Sequence, residues 1–394
     1  MESDNKLFLL DAYALIYRAY YAFIKNPRIN SKGFNTSAIL GFVNTLEEVL
    51  KKENPTHIGV AFDPAGPTFR HEAFEQYKAQ REETPEAIRL SVPIIKEIIR
   101  AYRIPILEVA GYEADDVIGT LATEAGRQGI ITYMMTPDKD YGQLVSDKVF
   151  MYRPKHTGGF EVMGVDEVKA KFDIQSPAQV IDMLGLMGDS SDNIPGCPGV
   201  GEKTAQKLIA EFGSIENLLE HNDQLKGALK TKVETNREMI TFSKFLATIK
   251  IDVPIQLDMD SLVREQADED SLRQIFEELE FRTLIDRVLK KENAGSGITT
   301  PTGNKTAAEK SNLAPLPLFP EEGGAVQGDL FANFTGNEPG EAKNSNLATL
   351  ETLNCDYQLI DTEEKRTKII QKLLTSKILS LDTETTGTEP MDAE

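Results

Sequence analysis

From the amino terminus, apolar runs of strand length alternate with helical periodicity. Lys6–Leu10 (KLFLL), His57–Phe62 (HIGVAF) and Ile130–Met135 (IITYMM) are near-continuous apolar stretches, the pattern of strands buried on both faces. Between them, Ser37–Lys52 repeats Ile39, Phe42, Val43, Leu46 and Leu50 along one helical face. Glu86–Tyr102, despite Pro93, and Glu113–Gln128 also read as helices, with a short strand at Ile104–Val109. Val149–Tyr152 and Phe160–Met163, around Gly158-Gly159, read as a hairpin. Strands alternating with helices predict an α/β fold with a mostly parallel sheet flanked by helices. From Val165 to Leu289 the pattern is mostly helical, which predicts a helical subdomain.

The composition then changes. Asn293–Asn346 is rich in Gly, Pro, Asn, Thr and Ala without a sustained period, as in a flexible linker. A strand at Tyr357–Ile360, a helix at Glu363–Thr375 and a strand at Ile378–Asp382 follow. Three such elements cannot bury a core alone, so the sequence reads as the front of a longer protein, or else as one with a frayed tail. The predicted divisions are 1–164, a catalytic core, 165–292, a helical subdomain, 293–346, the linker, and 347–394, the start of a further domain.

The chain has 394 residues, 40% hydrophobic and 27% charged, which suits several soluble domains and excludes collagen-like or wholly disordered classes. Two distant cysteines, Cys197 and Cys355, fit a reducing compartment. No apolar stretch is long enough for a signal core or a membrane span, so a cytosolic protein is expected. The net charge is -20, of which residues 251–394 carry -14. The acidity is thus concentrated in the last third and argues only weakly against a nucleic-acid partner for the first part.

Ligand sites on parallel sheets lie beyond the carboxyl ends of strands, and three predicted strands end in acid. Asp11 follows the first, Asp63 the second, and Asp138 and Asp140 follow IITYMM. Glu113, Asp115 and Asp116 in GYEADDV open a helix, and Asp189 and Asp192 lie in MGDSSDNIPG. Each alone is an ordinary turn or cap residue. Together they would repel one another unless cations held them. An all-oxygen set suits Mg2+ or Mn2+ rather than zinc. The four histidines show no ligand spacing, and no Cys-His or Ser-His pairing is visible. The chemistry expected is two-ion hydrolysis of a phosphodiester.

Two further segments suit phosphate. In FRHEAFEQYKAQR (69–81), Arg70, Lys78 and Arg81 fall at roughly helical spacing, with Tyr77 placed to stack on an unpaired base; the alternative is a solvated helix face paired with Glu72, Glu75, Glu82 and Glu83. In IPGCPGVGEKTAQKLI (194–209), Gly199, Gly201, Lys203 and Thr204 precede or open a helix whose free N–H groups face an anion without reading sequence. The pattern is that of a helix-hairpin-helix, and Lys226, Lys230 and Lys232 could extend the basic track.

Asp11, Arg18, Asp63, Arg70, YKAQR, GYEADDV, TPDKD, MGDSSDNIPG and PGVGEKTA, in this order over about residues 5–290, closely resemble the 5′ nuclease (flap endonuclease) family. The family takes in flap endonucleases, phage 5′ exonucleases and the N-terminal domain of bacterial DNA polymerase I. The resemblance implies a PIN-like core whose nine acids bind metal, and it implies that Arg70, Lys78 and Arg81 are arch residues contacting the scissile phosphate. Arg18 matches a family position to which it assigns no role here. ILSLDTETTG is similar to the first motif of an RNase H-like 3′–5′ proofreading exonuclease, which would make Asp382 and Glu384 part of an incomplete second site. QGDLF (Gln327–Phe331) is similar to peptides that dock on the sliding clamp, unless it is a chance apolar pair. The implied function is structure-specific 5′–3′ hydrolysis of DNA flaps and RNA primers, by a monomer, within a DNA polymerase I. A stand-alone flap endonuclease and a non-catalytic DNA-binding protein are the alternatives.

Overall fold

The computed structural model describes residues 5–155, 158–289 and 362–374. A six-stranded sheet has the order β3-β2-β1-β4-β5-β6, from β1 (Lys6–Asp11), β2 (His57–Ala61), β3 (Ile106–Leu107), β4 (Ile131–Met135), β5 (Val149–Pro154) and β6 (Phe160–Met163). The first five strands are parallel, and β6 closes an antiparallel hairpin with β5 as predicted. Gly158 and Gly159, both at positive φ, precede β6.

The side-chain period of two divides β1 between two cores. Phe8 and Leu10 enter one core with α1 (Ala12–Ala22), α2 (Ser37–Lys52) and, after the short α3 (Phe69–Ala73), α4 (Glu86–Ala101). Leu7 and Leu9 enter the other with α5 (Ala114–Arg127). Pro93 lies inside α4 without ending it. α1 has no counterpart among the predicted elements, because its tyrosines blur the buried face of Ala12, Leu15, Ile16 and Ala19. It packs closely on α2, and a Cβ on Gly41 would lie 2.6 Å from that of Ala19.

The helical region comprises α6 (Val165–Phe172), α7 (Gln179–Met187), α8 (Glu202–Phe212), α9 (Ile215–Glu220), α10 (Gly227–Thr235) and α11 (Arg237–Ala247). Met183, Leu184, Leu208 and Leu246 share one core with Val117 and Ile118 of α5, so no solvent layer separates the two predicted subdomains at 164/165. The chain then returns to the sheet, where Val263 bridges His57, and α12 (Glu269–Glu278) and α13 (Arg282–Leu289) cover the first core. A separate compact unit holds α14 (Glu363–Leu374), within the predicted helix Glu363–Thr375. The linker 293–346, Gln327–Phe331, the strands predicted at 357–360 and 378–382, Asp382 and Glu384 lie outside the described residues. None of the described helices is long and apolar enough to cross a membrane.

Candidate active site

β2, β1 and β4 are neighbours and run parallel, so their carboxyl ends share one edge of the sheet. Asp11 ends β1 and caps α1, accepting from the Ala14 amide at 3.1 Å. Its other oxygen accepts from the Tyr141 hydroxyl at 3.1 Å and the Thr136 hydroxyl at 3.2 Å. Asp63, just past β2, accepts from the Ala114 amide at 2.7 Å and so meets the start of α5. Glu113 caps α5, and Asp115 and Asp116 lie in its first turn. Asp138 opens a 3-10 turn, Lys139–Leu144, accepting from the Asp140 amide at 2.9 Å.

Asp189 and Asp192 come from the hairpin between α7 and α8. Gly188 and Gly196 there have positive φ, and a Cβ on Gly188 would meet the Ile194 carbonyl at 2.4 Å. Lys139 pairs with Asp189 at 3.2 Å.

The electrostatics show that these groups face one another. Burial, then repulsion from Asp63, lifts Asp11 to about 7, with Asp138 adding to it. Burial likewise raises Asp63, to which Glu113 adds. Asp115 is raised well above the usual range by burial and by Asp116. Asp138 is raised by burial and by Asp192 and Asp189, and Asp140 is raised further by burial, Asp138 and Asp189. Two acids go the other way. Burial acts against Glu113 and Asp192, but Lys78 with Arg70 holds Glu113 low, and Lys78 with Arg81 holds Asp192 low.

The donors suit a hard cation. Glu113, Asp115 and Asp116 offer oxygens within 4.8 Å of one another and could hold a metal ion. Asp140 Oδ1 is buried without a hydrogen-bond partner. A buried anionic oxygen left unpaired is costly unless a cation completes it. Carboxylates throughout fit Mg2+-like chemistry better than soft metals.

The segment 69–81 differs from expectation. Its helix ends at Ala73, and turns follow, with Lys78 at a φ of 57°. The reason is its neighbour: Lys78 N–H donates to the Asp192 carbonyl at 3.0 Å, and Asn193 donates to the Gln76 carbonyl at 2.7 Å. Lys78 Nζ reaches Glu113 at 2.7 Å, and Arg81 reaches Asp192 at 2.6 Å.

Two expected roles are corrected. Tyr77 is 3% exposed, and its hydroxyl donates to Glu113 and Asp192, so its ring offers no face to a base. Arg70 is 1% exposed and its N–H groups are spent on internal partners, which leaves none for a phosphate in this arrangement. Arg18, on α1, donates to the Lys155 carbonyl at 3.0 Å.

At the far end of the hairpin, Gly199 has a φ of 74° and its carbonyl accepts from Lys232 at 3.3 Å. Gly201 caps α8, where Lys203 is exposed and Thr204 half-buried in the first turn. Lys139, Tyr141 and Thr136 were not singled out from the sequence, although all three lie in or beside TPDKD.

Family models for the 5′-3′ exonuclease match residues 6–173 (its N-terminal resolvase-like domain) and residues 175–270 (its C-terminal SAM fold). DNA polymerase I of Bacillus caldotenax is 42% identical over 287 residues, which cover 72% of this chain and 32% of that protein. DNA polymerase I of Bacillus subtilis is 43% identical, covering 73% and 33%. The chain thus spans about a third of the length of these relatives. Among solved structures, T5 5′-exonuclease with bound zinc superposes with a TM-score of 0.52 at 21% identity, covering 70% of this chain and 99% of that one. The catalytic core of Rad2 in complex with DNA substrate superposes at 0.50 and 18% identity, covering 73% and 93%. Both show a shared fold. From the acids at the sheet edge to the hairpin of the helical region, the chain belongs to the 5′-3′ exonuclease family.

Proposed function

We propose that this protein hydrolyses phosphodiesters at the 5′ ends and 5′ flaps of DNA and in RNA primers, using two divalent cations, Mg2+ or Mn2+. The observation that carries the reading is that Asp11, Asp63, Asp138, Asp140, Asp189 and Asp192 act on one another beyond the strand ends, beside the Glu113–Asp115 turn, with Asp140 Oδ1 buried and unpartnered. Asp11, Asp63, Glu113, Asp115, Asp138, Asp140, Asp189 and Asp192 would hold the cations, with Asp116 in the same cluster. When bound, the cations supply the positive charge that makes a water acidic and offsets charge on the departing oxygen.

The protein's own groups do the rest. Lys78 and Arg81, now paired with Glu113 and Asp192, are the cations available to a scissile phosphate when those acids turn to metal. Asp11 keeps its orientation through Tyr141 and Thr136. Gly199, Gly201, Lys203 and Thr204 would grip the duplex backbone; T5 flap endonuclease and the Rad2 catalytic core, which share the fold, are seen in complexes with DNA.

Within a longer chain like those of its relatives, the nuclease would serve a DNA polymerase I, in the cytoplasm and as a monomer, with Gln327–Phe331 as a sliding-clamp peptide. The test is cleavage of a 5′-flap duplex with Mg2+ and with EDTA, for the wild type and Asp140→Asn. Mg2+-dependent cleavage by the wild type is expected, with a loss of at least a thousandfold in the variant and flap binding retained. Cleavage in EDTA, or an unchanged variant, removes the reading.

A further inference from the structure

A guanidinium has five N–H bonds, and Arg70 spends all five inside the protein. Nε donates to the Leu246 carbonyl at 2.9 Å. Nη1 donates to Glu113 at 2.9 Å and to Asp116 at 2.8 Å. Nη2 donates to Asp116 and to the Thr248 carbonyl, each at 2.8 Å. Asp116, fully buried, is as completely engaged. Beyond the two Arg70 bonds it accepts from the amides of Glu113 at 3.1 Å and Lys250 at 2.8 Å, which fills the four lone-pair directions of a carboxylate.

These partners come from two parts of the chain. Glu113 and Asp116 open α5 in the catalytic half. Leu246, Thr248 and Lys250 lie where α11 ends, in the strap that leaves the helical region. Gln143 stitches the same strap down, donating to the Ala247 carbonyl at 3.0 Å and accepting from the Ile249 amide at 2.9 Å. α11 also holds the acidic hairpin, since Ser243 accepts from the Gly196 amide at 2.9 Å. One helix therefore touches both the hairpin that carries Asp189 and Asp192 and, through Arg70, the turn that carries Glu113 and Asp115.

We propose that Arg70 is a positioning residue which, with Asp116 as its counter-ion, clasps α11 to the start of α5 and so fixes the α5 acids relative to the hairpin acids, without touching nucleic acid. The proposal deepens the nuclease reading and rests on it. The geometry demands a fork: Lys keeps the charge but cannot span two carboxylates and two carbonyls at once.

The experiment uses the full chain with Arg70→Lys, Arg70→Gln and the pair Arg70→Gln/Asp116→Asn. Binding to a 5′-flap duplex is measured against salt, and cleavage by kcat and KM over a Mg2+ series. Arg70→Lys is expected to keep the wild-type slope of log affinity against log salt and a KM within about twofold, while kcat falls at least tenfold and half-maximal rate needs more Mg2+. A phosphate contact would instead remove about 0.9 from that slope in the paired variant, which overturns the proposal.

Arg70→Gln leaves a buried carboxylate without its partner, a severe destabilisation. The paired variant removes both charges and is expected to fold and to cleave faster than Arg70→Gln. If it cleaves no faster, Asp116 serves the metal and the clasp is wrong. Hydrogen exchange in Arg70→Lys provides a readout independent of cleavage. The Lys250 and Glu113 amides should exchange faster together, and unchanged exchange at both overturns the clasp even if the wild type proves to be no nuclease.

Discussion

Asp11 shows what burial among like charges does to one residue. Its folded pKa is raised from 3.8 to about 7, mainly by burial and then by Asp63. A raised carboxylate contributes stability that is full below 3.8 and lost as pH rises through about 7. Asp63 and Asp138, also raised, act in the same sense. Glu113 and Asp192, held low, contribute stability above their unfolded values and lose it only at more acid pH. Between about pH 5.5 and 8 the raised acids act against His57 and His71, which burial holds low and which favour the alkaline side, and Asp11, Asp63 and Asp138 together decide the sign. In EDTA, Tm should be higher at the acid end of that window, and added Mg2+ should raise Tm more at the alkaline end. Thermal scans at both pH values check this, and a metal-free Tm that rises with pH would refute it. All of these acids were legible as candidates, because strand ends and a helix start are visible in the pattern. Their pairings were not. Arg70 and Tyr77 read as surface groups at helical spacing, and only the packed chain shows them buried, since acceptors such as the Leu246 carbonyl carry no side-chain signal.

Among the elements, α1 and α2 show how packing positions chemistry. Asp11 is at once the end of β1 and the cap of α1, so any shift of α1 moves the carboxylate. Gly41 allows α2 to approach, and a methyl there would press on both Cβ and Cα of Ala19, the second at 3.1 Å. Gly41→Ala should cost about 1–3 kcal/mol by urea denaturation and reduce cleavage through displacement of Asp11. Unchanged stability would show that the helices can separate freely. Apolar periodicity places α2 at its observed bounds and the strands to within two residues at each end, because there it is undiluted. It found no α1, whose buried positions are interleaved with tyrosines, and it extended a helix past Ala73, where hydrogen bonds to the Asp192 loop bend the chain instead.

Across the whole molecule, the sheet edge that carries the acids and the helical region share one core, so DNA bound at the start of α8, as proposed, would be held relative to the acids. Lys203, exposed in the first turn of α8, is a single positive charge that phosphate would meet. Lys203→Ala should weaken binding of flap duplexes of every sequence alike and lower the salt slope by about 0.9, with kcat at saturating substrate little changed. A sequence-dependent effect, or an unaltered slope, would move the contact elsewhere.

The sequence by itself determined the α/β class, the succession of the strands and of most helices, the nine acids as candidates and the family to which they point, because periodicity and strand-end acids are local properties of the chain. Only the tertiary structure decided which acids repel and which are neutralised, that Arg70 is buried between α5 and the end of α11, and that Asp140 keeps a bare oxygen. Those outcomes depend on distances between segments as far apart in the chain as Arg70 and Thr248, which burial in a shared core sets and no local pattern encodes.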